Sequence, residues 1–270
     1  MSVRPKKGLG QHFLAEPSVV RQIVDAVNAP PEAQVVEIGP GEGAMTGALL
    51  ARYPDLIALE IDGEAIAHLR QKHPTLDLRE GDVLDVDWAA LAHSAGAAAE
   101  ASGARGESAA RLHIVGNLPY YITSPILFSL LDAREHVARA VVMVQKEVAD
   151  RIVAPEGSKT YGTLSVYFAL LARAELLFDV DRRAFRPPPN VESAVVAIDF
   201  TNPPEAGLDS AALRRVVRAA FGQRRKMLRN SLRPLAQETA REIPEWAATL
   251  RPEQVSPADF VRLTHAFFSP

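Results

Sequence analysis

The chain has 270 residues, of which 47% are apolar, and its 30 basic and 33 acidic residues give a net charge of −3. This length suits one large domain, or one of about 200 residues with a smaller partner. The absence of cysteine excludes disulfides, thiolate metal sites and cysteine nucleophiles, as is typical of a reducing cytosol. The chain begins with basic residues and no apolar stretch, and no run reaches the length of a membrane span, so a cytoplasmic protein without membrane contact is expected.

The first two thirds of the chain alternate strand-like and helix-like segments. We expect strands at 34–38, 55–60, 75–80, 112–116 and 138–144, and helices at 17–29, 43–52, 63–72 and 125–131. Two further strands are expected at 175–180 and 193–200, the second of them antiparallel. This alternation predicts an α/β fold with a doubly wound, mostly parallel, seven-stranded Rossmann-like sheet.

Two later features complete the predicted organisation. Residues 92–110 are rich in Ala, Gly and Ser and are interpreted as a mobile surface insertion without chemistry. Residues 201–205 read as a linker, after which apolar residues recur at helical spacing from Leu213 to Ala220. The sequence therefore predicts a catalytic domain over 1–200 and a small helical domain over 201–270.

A glycine-rich turn follows the first of these strands. Gly39 and Gly41, with Ala44 beyond them, let a ligand approach the backbone, and the helix after them offers free amides. Glu60 ends the next strand and can accept hydrogen bonds from ribose hydroxyls, and Asp82 follows the third strand where an adenine amino group could bind. Each acid alone could instead be a solvated loop acid or a helix cap. The pattern fits NAD and S-adenosylmethionine equally well.

The tetrapeptide Asn117, Leu118, Pro119 and Tyr120 comes after the strand that ends at Gly116. The Asn side chain and the Leu118 carbonyl can accept both hydrogens of an exocyclic amine, which frees its lone pair for attack, while Tyr120 stacks on the ring. The alternative is a polar turn with a helix cap. A dehydrogenase also needs an acid or base for a carbonyl, and no His or Lys motif supplies one, so the tetrapeptide favours methylation of an amino group. The seven histidines form no ligand-spaced cluster, and no metal is predicted.

Basic residues are concentrated in one later segment. Residues 210–237 contain eight basic residues and no acidic one, whereas the rest of the chain carries 22 basic and 33 acidic residues. A basic face on an acidic body is typical of nucleic-acid binding, although a solvated helix face gives the same pattern. The residues predicted to contact RNA are Arg214, Arg215, Arg218, Arg224, Arg225, Lys226 and Arg229.

Seven short motifs occur in a fixed order along the chain. They are Gly-Gln-His-Phe-Leu at 10–14, Glu-Ile-Gly-Pro-Gly at 37–41, Gly-Asp-Val at 81–83, Gly-Asn-Leu-Pro-Tyr at 116–120, Gln-Lys-Glu-Val-Ala at 145–149, Phe-Arg-Pro-Pro-Pro-Asn-Val-Glu-Ser-Ala-Val at 185–195 and Phe-Gly-Gln-Arg-Arg-Lys at 221–226. With these motifs the chain resembles the KsgA-type ribosomal RNA adenine dimethyltransferases of the small subunit. The resemblance covers nearly the whole length apart from residues 92–110.

This resemblance implies S-adenosylmethionine as the methyl donor. It also implies dimethylation of N6 on two adjacent adenines in the 3′-terminal hairpin loop of 16S ribosomal RNA, in the cytoplasm and on a late pre-30S particle. The sequence does not fix the oligomeric state, and a monomer is expected. The donor site would comprise Gln11, His12, Leu14, Gly39, Gly41, Glu60, Ile61, Asp82, Val83 and Asn117. The tetrapeptide would hold the target adenine, with Phe185 stacking on its second face.

Three positions depart from the pattern of the family, and other functions stay open. His12 stands where asparagine is more usual, Glu42 where leucine or a neutral residue is usual, and Tyr121 where a polar residue is common. A methyltransferase of large-subunit RNA shares almost all these motifs. A ribosome-assembly factor with secondary catalysis is a further alternative, and a DNA adenine methyltransferase is less favoured, since its tetrapeptide usually contains two prolines.

Overall fold

The computed structural model describes residues 3–6, 8, 10–101, 111–205 and 207–269, without the side chains of 97–101. It contains two compact units. Unit 1 comprises Met1–Ala149 and Glu175–Thr201, and unit 2 comprises Asp150–Ala174 and Asn202–Pro270. The second unit therefore contains a segment upstream of residue 200 in addition to the predicted helical domain.

A seven-stranded sheet forms the centre of unit 1. The described residues form nine strands, seven of which make up this sheet. The nine are β1 (Phe13–Leu14), β2 (Val35–Ile38), β3 (Ile57–Glu60), β4 (Asp77–Glu80), β5 (Leu112–Asn117), β6 (Val137–Gln145), β7 (Arg173–Val180), β8 (Phe185–Arg186) and β9 (Ser193–Asp199). The sheet order is β4-β3-β2-β5-β6-β9-β7, and β1 pairs with β8 separately. Strands β2 to β6 pair in parallel, and β9 pairs antiparallel with β6. The predicted doubly wound, mostly parallel sheet is confirmed.

Helices follow most of the parallel strands, as the alternation predicts. They are α1 (Pro17–Val27), α2 (Thr46–Arg52), α3 (Gly63–Lys72), α4 (Trp88–Ala101), α5 (Thr123–Asp132) and α6 (Lys146–Ile152). Helix α1 shows why these segments fold where they do. Glu16 caps its N-terminus by accepting from the Ser18 amide, Pro17 occupies the first turn, and Asn28 ends the helix in the left-handed region. Its apolar stripe, with Ile23 and Val27, packs into the core of unit 1.

Helix α4 corrects part of the predicted insertion. Residues 92–101 continue this helix, and Ala92 and Ala95 are buried. Alanine is the strongest helix former, so its abundance outweighs the single Gly and Ser of this stretch. The remaining residues of the predicted insertion, 102–110, lie outside the described part of the chain.

Unit 2 is helical. Its helices are α7 (Thr163–Leu171), α8 (Ser210–Phe221), α9 (Leu228–Ser231), α10 (Arg233–Thr239), α11 (Glu245–Ala248) and α12 (Pro257–Phe268). Helix α7, which was not predicted, is buried on nearly all sides. An aromatic cluster joins Tyr161, Phe221 and Phe260, and the Tyr161 hydroxyl donates to the Val255 carbonyl at 2.9 Å. None of the helices in the described ranges is both long and apolar enough to cross a membrane.

Candidate functional site

A pocket in unit 1 lies at the carboxyl ends of β2, β3, β4 and β5, the edge where open α/β sheets bind ligands. It is lined by Gly10, Gln11, His12, Phe13, Ile38, Gly39, Gly41, Leu59, Glu60, Ile61, Gly81, Asp82, Val83, Asn117, Leu118, Pro119, Tyr120, Tyr121 and Ile122. The structure thus brings together every residue predicted for the donor and the target base except two, Leu14 and Phe185.

Leu14 and Phe185 lie in the core of unit 1 rather than in the pocket lining. They are paired partners of β1 and β8, and their exposed fractions are 7% and 2%. Both belong to the main hydrophobic cluster. A fully packed ring presents no free face to a ligand, so the predicted stacking of Phe185 on a target base has no support in this structure.

The glycine-rich turn leaves room beside the end of β2. Gly39 has a φ of 63°, and a Cβ there would meet no atom within 4 Å. At Gly41, with a φ of 56°, a Cβ would lie 2.8 Å from the Phe13 ring. Gly39 therefore opens space for a ligand, whereas Gly41 lets the turn pack against Phe13.

Glu60 organises the loops around it. Its exposed fraction is 5%, its Oε1 accepts from the amides of Ile61 and Asp62 at 2.9 Å, and its Oε2 accepts from the Gly41 amide at 3.0 Å. A carboxylate oxygen has two lone pairs, so Oε2 keeps one acceptor position while Oε1 is filled. Glu60 can therefore hold the turn and still accept one hydrogen bond from a ligand.

Asp82 and its neighbours form the next wall of the pocket. Asp82 Oδ1 accepts from the Leu84 amide at 2.9 Å and so caps a short 3-10 turn, as the capping alternative anticipated. The capping bond uses one of its two oxygens, and the side chain still lines the pocket. Val83 is buried, whereas Ile61 is 51% exposed and presents an apolar surface.

The Asn-Leu-Pro-Tyr segment has an ordered arrangement. Asn117 Nδ2 donates to the His12 carbonyl at 3.0 Å, which leaves Oδ1 as the acceptor end of the amide. The Leu118 amide donates to the Met143 carbonyl at 3.0 Å, and the Pro119 carbonyl accepts from the Thr123 hydroxyl at 2.9 Å. The backbone of the tetrapeptide is therefore fixed to β6 and to the start of α5.

His12 and Tyr120 pack on each other beside Asn117. Their ring centroids are 5.8 Å apart with an interplanar angle of 27°. The Tyr120 hydroxyl shares a 2.7 Å hydrogen bond with Ser193, and burial raises the pKa of Tyr120. His12 Nδ1 lies 2.8 Å from the Pro187 carbonyl and must donate, since that oxygen can only accept. His12 thus contacts the tetrapeptide through both its ring and its carbonyl.

Asp62 holds the N-terminal segment against the pocket. Its side chain is fully buried and accepts from Lys6 Nζ at 2.5 Å, from Gln11 Nε2 at 2.9 Å and from the Glu64 amide at 2.9 Å. Gln11 Oε1 accepts from the Lys6 amide. Burial alone would raise the pKa of Asp62, but these hydrogen bonds lower it. The polar groups of Gln11, predicted to contact the donor, are used in this network.

Sequence reasoning missed Lys6 and Asp62 as parts of the site. Asp62 carries one local signal, since an acid just before a helical pattern predicts an N-cap. Its pairing with Lys6 joins residues 56 positions apart, and no local pattern indicates that contact.

Glu37, in the middle of β2, is a fully buried carboxylate below the glycine-rich turn. Its Oε2 accepts from the Thr46 hydroxyl at 2.7 Å, and its Oε1 has no partner within the described ranges. Desolvation raises the pKa of Glu37 to about 7, although the Thr46 bond opposes this shift. Burial therefore favours the protonated form of Glu37 in the folded protein.

The predicted RNA-contacting residues all lie in unit 2. In α8 the residues Leu213, Val216, Val217 and Ala220 are buried, which confirms the predicted apolar stripe. Arg215 is ion-paired with Glu238 at 2.6 Å and lies over the Phe268 ring, and Arg214 is half-buried, so neither presents a fully open cation. The other five predicted residues, Arg218, Arg224, Arg225, Lys226 and Arg229, are exposed.

The sheet order and the residues that line the pocket define a class of protein. A glycine-rich turn, acids at the ends of the next two strands along the chain and Asn-Leu-Pro-Tyr at the end of the strand after them are typical of Rossmann-like methyltransferases that take S-adenosylmethionine and methylate an amino group. The sequence profile of the family described as "Ribosomal RNA adenine dimethylase" matches residues 3–266. The chain belongs to this family.

Individual relatives agree with this assignment. The chain is 46% identical over 263 residues to "Ribosomal RNA small subunit methyltransferase A" of Salinibacter ruber, covering 96% of this chain and 84% of that protein. Among solved structures, a dimethyladenosine transferase from Plasmodium falciparum superposes with a TM-score of 0.73 at 22% identity, covering 93% of this chain and 96% of that one. The 23S rRNA methyltransferase ErmE superposes with a TM-score of 0.62 at 24% identity, covering 94% and 99%. These two structures share the fold.

Proposed function

We propose that this protein transfers methyl groups from S-adenosylmethionine to N6 of two adjacent adenines in the 3′-terminal hairpin loop of 16S ribosomal RNA, two methyl groups to each. The observation that carries this proposal is the Asn117 side chain, whose amide nitrogen is bound to the His12 carbonyl while its oxygen is left to accept in a pocket that also contains Glu60. The name of the Salinibacter ruber relative supports the small subunit as the source of the RNA.

The donor fits the residues that are present. The space at Gly39 admits a ligand against the backbone, and Glu60 Oε2 retains an acceptor position for a ribose hydroxyl. Asp82 lines the same pocket, where its carboxylate can accept from the adenine amine of the donor. Ile61 and Val83 supply apolar surface for the adenine ring. Gly39, Gly41, Glu60, Ile61, Asp82 and Val83 are called the donor half of the pocket.

Five other lining residues form the target half, defined as His12, Asn117, Leu118, Pro119 and Tyr120. Asn117 Oδ1 and the Leu118 carbonyl accept the two hydrogens of the target amine and thereby direct its lone pair. Pro119 fixes the Leu118 carbonyl, and Tyr120 stacks on the base. Because its ring packs on Tyr120 and its carbonyl orients Asn117, His12 belongs to this half rather than to the donor contacts.

The bound donor supplies an electrophilic methyl group on a sulfonium. When the donor is bound, the N6 lone pair would take this methyl group, the electrons of the carbon–sulfur bond would go to sulfur, and the amine would then lose one proton. Asn117 needs to orient rather than to deprotonate, because the displacement requires no strong base. Orientation of two reactants supplies about 7–11 kcal/mol in favourable cases. Taking the base from an unpaired loop limits the cost of unstacking to about a few kcal/mol.

Unit 2 is proposed to contact the RNA through five of its exposed basic side chains, Arg218, Arg224, Arg225, Lys226 and Arg229. Arg224 donates to the Lys159 carbonyl at 2.6 Å, which uses one of its five N–H groups and leaves the others for phosphate. We further propose that the protein acts as a cytoplasmic monomer on a late assembly intermediate of the small subunit.

The test is to supply donor with a tritiated methyl group to under-methylated 30S particles and to 50S particles, and to map the label. We expect label on N6 of two adjacent adenines of the 30S particle. The shared fold of ErmE makes large-subunit RNA the second candidate. Label confined to 50S particles would establish that candidate, and label on neither would leave the assembly-factor function.

A further inference from the structure

Tyr121 is an exposed aromatic side chain at the pocket for which neither half of the proposed reaction gives a role. Its exposed fraction is 56%, the largest among the exposed large apolar side chains of the described residues. It lines the pocket directly after Tyr120. Tyr120, in contrast, is half-buried and is held by Ser193 and His12. Two successive tyrosines of one turn therefore have different surroundings, one packed and one open.

The ring of Tyr121 lies beside Gly10 of the N-terminal segment. Gly10, in the left-handed region with a φ of 57°, lies against it, and a Cβ at Gly10 would be 3.3 Å from Tyr121 Cδ1. The glycine thus allows the ring to pack on the backbone of the N-terminal segment.

We propose that Tyr121 is a stacking platform for the unpaired nucleotide next to the target adenine. This inference rests on the proposed function. Only one adenine at a time can place its amine at Asn117, so the neighbouring base must lie at the mouth of the pocket. Aromatic side chains bind unpaired bases by stacking, without regard to sequence. Adenine and its methylated form both present a planar face. Tyr121 can therefore hold the second adenine while the first reacts, and hold the methylated first adenine while the second reacts.

The experiment compares Tyr121→Ala with Tyr121→Phe, which keeps the ring and removes only the hydroxyl. Steady-state methylation of under-methylated 30S particles gives KM and kcat, calorimetry gives the donor Kd, and thermal melting checks the fold. Loss of one base-stacking contact corresponds to about 5- to 150-fold weaker RNA binding. We expect Tyr121→Ala to raise KM for the particle within this range with the donor Kd unchanged, and Tyr121→Phe to stay close to wild type.

Each other outcome has a definite meaning. An unchanged KM in Tyr121→Ala overturns the platform, and so does a raised donor Kd with an unchanged KM, because the ring would then serve the donor. If the alanine variant melts early, Tyr121→Leu replaces it, since leucine keeps apolar bulk without a π face and should also raise KM. Absence of N6 label from wild type on 30S particles would instead refute the proposed function itself.

Discussion

The donor half and the target half of the pocket differ in how far their polar groups are already satisfied. On the donor half, Glu60 is buried and accepts from three backbone amides. On the target half, Asn117 donates once and keeps its acceptor oxygen open, and the neighbouring Tyr121 is mostly exposed. The first is preorganised by the ends of the strands, whereas the second leaves its acceptor open for the RNA that we propose it binds. Substitutions in the donor half should therefore weaken donor binding, whereas substitutions in the target half should lower turnover.

The largest effect is expected for Asn117→Ala. The variant loses the acceptor that directs the target amine, and its turnover should fall by about 100-fold or more, the size found when one oriented polar group is removed from a reacting centre. Donor affinity should change little, since the Glu60 network is untouched. Single-turnover methylation of 30S particles and calorimetry with S-adenosylmethionine separate the two effects. Normal turnover in this variant would contradict the role given to Asn117.

Glu60→Ala should affect the donor half instead. A hydrogen bond to a charged acceptor contributes about 1.5–3 kcal/mol, so the donor Kd should rise at least about tenfold. The three orphaned backbone amides should also lower the melting temperature. Asp25→Ala, which removes an exposed partner of Arg52, is the control for a simple loss of charge. If nicotinamide cofactors protected the wild-type protein from heat and the methyl donor did not, a dehydrogenase would be indicated.

A third prediction concerns the basic side chains that are proposed to dock the RNA. Removing them should leave both halves of the pocket unchanged. The triple variant Arg224→Ala, Arg225→Ala, Lys226→Ala removes three exposed cations. If each contacts a phosphate, the slope of log affinity against log salt for immature 30S particles should fall by about 2–3 units, with donor affinity unchanged.

The matched control for this prediction removes three arginines that are ion-paired within the protein, through Arg79→Ala, Arg183→Ala and Arg262→Ala. It changes the net charge by the same amount. Equal slopes for the two triple variants would mean that the basic segment is only solvated and that RNA docks elsewhere.

The donor half is the part of the site that sequence predicts best. Gly39 follows and Glu60 ends an apolar run that reads as a strand, Asp82 follows the strand expected at 75–80, and parallel strands bring their carboxyl ends to one edge. Contacts between distant segments are not predictable in this way. Lys6 meets Asp62 across 56 positions, and Phe185 turns into the core because β8 pairs with β1. Neither the partner nor the facing direction of such a side chain has a local signature.

The same limit explains the errors in the predicted elements. Helix α7, Thr-Leu-Ser-Val-Tyr-Phe-Ala-Leu-Leu, is apolar on every side, so it has no amphipathic period to recognise. Helix α4 extends to Ala101 through a stretch that looks like low-complexity sequence. In both segments burial or intrinsic propensity decides the structure, and periodicity carries no information.

The smallest of these effects is expected for Glu37→Gln. This substitution should change how the free energy of unfolding depends on pH. Folded Glu37 keeps its proton up to about pH 7, whereas the unfolded chain loses it near 4.5, so this group makes folding less favourable as pH rises through that window. Glutamine does not titrate and can still accept from Thr46. The variant should therefore gain stability relative to wild type between pH 5 and 8, by at most about 3 kcal/mol.

A buried histidine makes the comparison with wild type necessary. Desolvation lowers the pKa of His113 to about 4, so its contribution to stability rises with pH from about 4 to 6.5 and opposes that of Glu37. A pH curve of wild type alone mixes the two groups, but His113 is present in both proteins and cancels in the difference. Urea unfolding of wild type and Glu37→Gln at pH 5 and pH 8 gives that difference directly. If the difference in the free energy of unfolding is the same at both pH values, Glu37 ionises in the folded protein as it does in the unfolded chain. Water must then reach its unpartnered oxygen.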